Sequence, residues 1–109
     1  MFKERGDVMN TTTLNTVDTL RNMIQSQTQE IFIKEGMDWR IHGHNYQVTI
    51  KPGNKYTKID VGTSGKYMID SDGNIFGIKA YGVIHRGHHY GTLDTINQYN
   101  WGGYTAYKI

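Results

Sequence analysis

The hydrophobic pattern changes period at Gly36, and that change decides the fold class. Upstream, Leu14, Val17, Leu20, Ile24 and Ile31 fall on one arc of roughly 120° when residues are laid out at 100° each, which predicts a single long helix over residues 14–33 with one apolar face. Thr11, Thr12 or Thr13 can cap its start and Gly36 can end it. Downstream, apolar and polar residues alternate, and turn-forming residues recur every several positions, which is the signature of a meander of short strands.

In that meander "NYQVTI" sets Tyr46, Val48 and Ile50 on one face. "PGN" turns, and "KYTKIDV" places Thr57, Ile59 and Val61 on one face with Tyr56, Lys58 and Asp60 on the other. "GTSG" and "SDGN" then turn the chain twice more, Asp-Gly being a strong hairpin signal. Four antiparallel strands are predicted at about 44–51, 55–61, 66–70 and 75–80. Beyond residue 81 the alternation breaks into a stretch rich in Gly, Tyr and His, expected to be a loop region. Within it "TLDTINQY" suits a short helix capped by Thr92, and residues 104–109 alternate as a last strand. The fold class is therefore α+β: an N-terminal helix packed on a mostly antiparallel sheet of four or five strands. Residues 1–9, "MFKERGDVM", carry charges on both sides of one Phe and are expected to be a flexible tail, leaving residues 10–109 as a single domain.

Composition narrows the function classes. The chain has no cysteine, which excludes disulfide frameworks and thiolate metal sites and points to a reducing, cytoplasmic compartment. No apolar run approaches the roughly 20 residues of a membrane span, so no membrane association is expected. Only 37% of residues are hydrophobic, yet eight are tyrosines, so large rings must supply much of the buried area. The net charge of +2 is too small to name nucleic acid as partner by itself.

Several short stretches invite a chemical reading and fail it. "GTSGK" lacks the first glycine and the final Ser or Thr of a phosphate-binding loop, since Asp60 and Tyr67 stand there, and it reads as a hairpin turn. "DSDGN" lacks the ligand spacing and closing Glu of a calcium loop. Ser26, Ser64 and Ser71 have no nucleophile context. His42 and His44 would share a strand face, and His85 with His88 or His89 would complete a metal site from the next layer, but no known ligand spacing is present; neither metal nor cofactor is expected. No enzymatic activity is expected either.

The coherent signal is the run "HRGHHYG" at 85–91 together with cations and rings elsewhere after residue 65. Lys66, Lys79, His85, Arg86, His88 and His89 supply groups that meet phosphates, while Tyr90 and Trp101 supply rings that stack on bases. Tyr90 and Arg86, flanked by glycines, are expected to be exposed on a binding loop. The competing reading is that most of the tyrosines fill the aromatic core.

Residues 55–96 resemble a pattern found in small proteins of bacteriophages and metagenomic viral sequences, a K-Y-x-K-I strand followed by a D-x-x-G-x-I-Y/F-x-x-K hairpin and a basic loop. Lys55, Tyr56, Lys58, Ile59, Asp70, Gly73, Ile75, Phe76 and Lys79 carry the resemblance. No defined activity attaches to that group, and what it implies is a viral origin and an accessory role. The expected function is therefore that of a viral-type binding protein engaging nucleic acid or a host nucleoprotein. Two alternatives stand beside it. One is an inhibitor of a host protein such as a CRISPR-type defence nuclease, using the same loop as an interface. The other is a virion-associated structural protein, with an exposed edge strand at 44–51 or 104–109 permitting homo-oligomer formation.

Overall fold

The computed structural model describes residues 11–103 and 105–109. Its first element is a long helix, α1 (Thr11–Lys34). The helix stops where the pattern predicts. Gly36 adopts φ +86°, Met37 N–H donates to Phe32 O at 2.9 Å, and Gly36 N–H donates to Ile33 O at 3.0 Å. This Schellman cap needs a left-handed residue, which glycine supplies without a Cβ penalty. The tail expected over residues 1–9, the side chain of Leu14, and Tyr104 lie outside the described residues.

The next eight positions depart from expectation. A one-turn helix, α2 (Trp39–His42), and a 3-10 turn, Gly43–Tyr46, occupy positions where the alternation predicted the first strand to begin. Asp38 starts α2 by accepting the Arg40 N–H at 3.0 Å, and aromatic packing holds the turn against α1. Phe32 meets Tyr46 edge-on at 4.4 Å and Trp39 at 5.8 Å. The Trp39 ring lies so close to Gly43 that a Cβ there would sit 2.7 Å from it. His42 and His44 consequently do not share a strand face; both are exposed on this turn.

Five strands follow, β1 (Val48–Lys51), β2 (Thr57–Val61), β3 (Ser64–Ile69), β4 (Asn74–Ala80) and β5 (Val83–Thr92). They form one sheet in sequence order, each neighbour antiparallel, so the expected α+β architecture is the one observed. The region expected as a Gly/His/Tyr-rich loop is largely β5, the longest strand. After it a 3-10 stretch, Leu93–Gln98, starts at Thr92, whose hydroxyl accepts the Asp94 N–H. Two short strands, β6 (Tyr99–Asn100) and β7 (Tyr107–Lys108), pair separately.

Only one face of the sheet carries the helix. Val17, Leu20 and Ile24 are fully buried against Val48, Ile59, Tyr67, Ile69 and Ile75, and Leu93, Ile96, Trp101 and Ala106 close the end of this core. The helix also caps the start of the β1 edge: Gln25 Oε1 accepts the Val48 N–H and Arg21 Nε donates to Val48 O, both at 2.9 Å. Side chains thus satisfy backbone groups that would otherwise template another strand.

Candidate functional site

Strand alternation sends Lys58 and Asp60 to the face opposite Ile59, and the register extends that face across the sheet. Lys51 lies opposite Lys58 on β1, Met68 opposite Lys58 on β3, and Phe76 opposite Met68 on β4. Among the described elements no helix packs on this face. Met68 and Phe76 are nevertheless buried there. What covers Phe76 is a set of polar side chains: the His89 ring stacks on it at 5.0 Å, and the Arg86 guanidinium lies 5.7 Å over it. Arg86 also donates to the Tyr56 hydroxyl at 3.0 Å.

A bulge in β5 creates this arrangement. Phe76 pairs with His89, yet its neighbour Gly77 pairs with His85, so Arg86, Gly87 and His88 are extra residues pushed out of the ladder. In a regular strand Arg86 and His89 would point to opposite faces; the bulge brings both onto Phe76. His88 goes the other way with Tyr90, packing over Gly77, where a Cβ would lie 3.1 Å from His88 Cβ and 3.3 Å from the Tyr90 ring. His85 and His88 stack nearly parallel at 3.9 Å, and His85 Nδ1 accepts the Gly87 N–H at 3.2 Å, closing the bulge.

The other notable cluster on this face is Lys51, Asp60 and Tyr81. Asp60 is 2% exposed. Its Oδ2 accepts from Lys51 Nζ at 3.1 Å and from the Tyr81 hydroxyl at 3.1 Å, while its Oδ1 is buried with no hydrogen-bond partner. Lys51 Nζ also reaches the Tyr81 hydroxyl at 3.3 Å, and Lys58 Nζ sits 5.3 Å from the Tyr81 ring centre. The Asp60 carboxylate foremost, then Tyr81, holds the Lys51 amine above its ordinary pKa. Asp60 is the only carboxylate in the five strands, which hold Lys51, Lys58, Lys66, Lys79 and Arg86, whereas the whole chain has twelve Lys and Arg against ten Asp and Glu. Positive charge is therefore concentrated on the sheet.

The eight residues expected to bind a partner separate into distinct places. Arg86 and His89 are exposed on the uncovered face, and Lys79 is exposed near the end of β4. His85 is half-buried and His88 exposed, stacked on each other on the opposite side. Lys66 is the extra residue of a bulge in β3 and is half-buried, its Nζ donating to Gly103 O at 2.8 Å; burial lowers its pKa. Trp101 is 0% exposed, its Nε1–H donating to Ile96 O at 2.9 Å and its N–H to Gln27 Oε1 at 2.6 Å, so it is a core residue and not a stacking platform. Tyr90 is half-buried against Tyr67 and Trp101, with centroids 5.6 and 6.4 Å away, and is no exposed loop ring. Burial raises its pKa, the Thr105 hydroxyl offsetting part of the effect.

The expected set omits Lys51, Tyr56, Lys58 and Tyr81. Tyr56 and Lys58 were legible on the face opposite Ile59, but Lys51 and Tyr81 join it only through strand pairing and the β4–β5 turn. A cleft of about 170 Å³ between Ser71–Gly73 and Thr92–Asp94 is well below the few hundred Å³ of a small-molecule site. Among the described residues no three His, Asp or Glu side chains gather as metal ligands, and no helix is long and apolar enough to cross a membrane. Comparison of the chain with protein-family models, with curated proteins and with solved structures finds no match.

Proposed function

We propose that this protein is a non-enzymatic binder of single-stranded nucleic acid, with the uncovered sheet face as its platform. The observation that carries the reading is the composition of that face: the rings of Tyr56, Tyr81 and His89 stand among Lys51, Lys58 and Arg86, and the one carboxylate within the five strands is buried, with one oxygen bonded to Lys51 and Tyr81. Rings on a broad sheet stack splayed bases while the cations between them meet phosphates. A broad face of this kind suits unpaired strands better than a duplex groove, which admits a helix or a narrow ribbon. The resemblance of residues 55–96 to viral proteins adds an accessory role in a host cell to this reading.

The test is a fluorescence-anisotropy titration of labelled single- and double-stranded DNA and RNA at two salt concentrations, with and without a chelator. Single strands are expected to bind more tightly than duplexes, with affinity falling steeply as salt rises and unaffected by the chelator. Failure of all four at low salt would refute the proposal and move the search to a host protein target.

A further inference from the structure

A buried carboxylate is out of place on a surface built for phosphates, because it repels them and its burial is costly. It is explained if it contacts a base. Resting on the reading above, we propose that Lys51 and Asp60 form a guanine-recognition site. Both partners of Asp60 bond its Oδ2, which leaves Oδ1 buried and unpartnered. Lys51 Nζ, 3.1 Å from Asp60 Oδ2, and the two Asp60 oxygens supply one donor and two neighbouring acceptors, which a base could reach once the carboxylate is uncovered. The Watson–Crick edge of guanine offers the complement, with O6 accepting and N1–H and N2–H donating side by side. No other standard base has two adjacent donors. Adenine and cytosine place an acceptor nitrogen beside their amino group, and uracil and thymine flank N3–H with two carbonyls, each of which a carboxylate oxygen would repel.

Tyr81 is the group that must move, and the structure provides for it. Tyr81 stands in the two-residue β4–β5 turn and is 51% exposed. It is held there by hydrogen bonds between its hydroxyl and Asp60 and Lys51 and by the Lys51 and Lys58 amines near its ring, surface contacts that an entering base and phosphate can replace. The ring rests on Gly65, the residue paired with Asp60, where a Cβ would lie 2.9 Å from both Tyr81 Cδ1 and Ile78 Cδ1. When the ring swings outward, the absent side chain at Gly65 leaves a recess beside the carboxylate, and the ring can stack on the base that enters.

The experiment titrates the protein with labelled oligothymidylate strands that are identical except for one central guanine, inosine or thymine. Inosine keeps O6 and N1–H but lacks the N2 amine, so its strand should bind roughly tenfold or more weakly than the guanine strand, the effect of losing one hydrogen bond to a charged group. Asp60→Asn should bring the guanine-to-inosine ratio close to one. Lys51→Met takes the cation away from the buried Asp60 and should lower stability, so its fold is checked by circular dichroism; the folded variant should weaken guanine and inosine strands together while preserving their ratio. Equal affinity for guanine and inosine in the unaltered protein, with the thymine strand still binding, overturns this proposal and leaves the platform reading intact. If the thymine strand fails to bind as well, the platform reading falls and takes the guanine site with it.

Discussion

Trp101→Ala should strongly destabilise this domain. The side chain is 0% exposed and lies among Tyr67, Tyr90 and Tyr99, with ring centroids 5.4, 6.4 and 5.5 Å away. Truncating a buried Trp to Ala typically costs about 3–5 kcal/mol, and losing the donor to Ile96 O adds about 1 kcal/mol. Domains of this size are stable by only about 5–15 kcal/mol, so the variant should lose from roughly a third to all of its stability. Trp101→Phe keeps most of the ring burial and loses the indole bond, and should cost about 1–3 kcal/mol. Urea unfolding followed by far-ultraviolet circular dichroism is the assay. At a slope of about 2 kcal/mol per M, a loss of about 4 kcal/mol lowers the midpoint by about 2 M. An Ala variant with an unchanged midpoint, or one that folds normally and fails only in binding, would refute the placement of Trp101 in the core and restore it as an exposed binding ring.

Tyr67 makes a prediction about pH. Burial, with Tyr90 nearby adding to it and the Ala106 backbone offsetting part, holds its hydroxyl far above the ordinary phenol range. The folded state therefore keeps a proton that the unfolded chain releases above about pH 10, so stability is full below that pH and falls by about 1.4 kcal/mol per unit above it. Tyr67→Phe should remove most of this alkaline slope in thermal melts and cost little at neutral pH, because the hydroxyl has no well-formed hydrogen bond to lose. Gly62→Ala should cost about 1–3 kcal/mol, since the residue has φ +63° and a Cβ there would collide with the Asn45 carbonyl; Gly36→Ala, at φ +86° in open space, should cost only about 1 kcal/mol, and chemical denaturation of the pair compares them directly. Deleting Arg86, Gly87 and His88 joins His85 to His89 in the ladder, so the variant should remain folded by circular dichroism yet bind single strands more weakly; loss of the fold would show that the bulge is part of the core.

What was legible in the sequence was what short-range periodicity encodes. The helix, its stop at Gly36, and the common face of Tyr56, Lys58 and Asp60 follow from residues within a few positions of one another, where backbone geometry fixes direction. β5 was hidden because its bulge interrupts the alternation that marks a strand, and Gly87 and Gly91 look like loop residues. The first strand was read too long because Trp39 and Tyr46 are set by packing on Phe32, a contact between separate elements, with Gly43 fitted beneath the Trp39 ring. Trp101 was misplaced for the same reason: its N–H is bonded to Gln27, 74 positions away. The candidate face shows both cases at once, since Lys58 and Asp60 were on it from alternation alone, whereas Lys51, Tyr81 and Arg86 arrive by strand register, a turn and a bulge.

The same face argues about its own occupant. A sheet with one bare side must cover it with a second layer, a second copy or solvent, and here the His89 ring and the Arg86 guanidinium lie over Phe76, Arg86 being bonded to the Tyr56 hydroxyl. A second copy docked across a two-fold axis would set Lys51, Lys58 and Arg86 against their own images, and the only carboxylate within the five strands, Asp60, is buried and bonded to Lys51. An apolar partner would leave those cations desolvated and unpaired. A flexible anionic chain avoids both penalties, because its charges match the cations and its bases meet the rings, and it needs no pocket of fixed shape. That is the physical reason for proposing a single strand over a protein surface here, and under that proposal specificity rests on a group that a phosphate cannot satisfy, the Asp60 carboxylate.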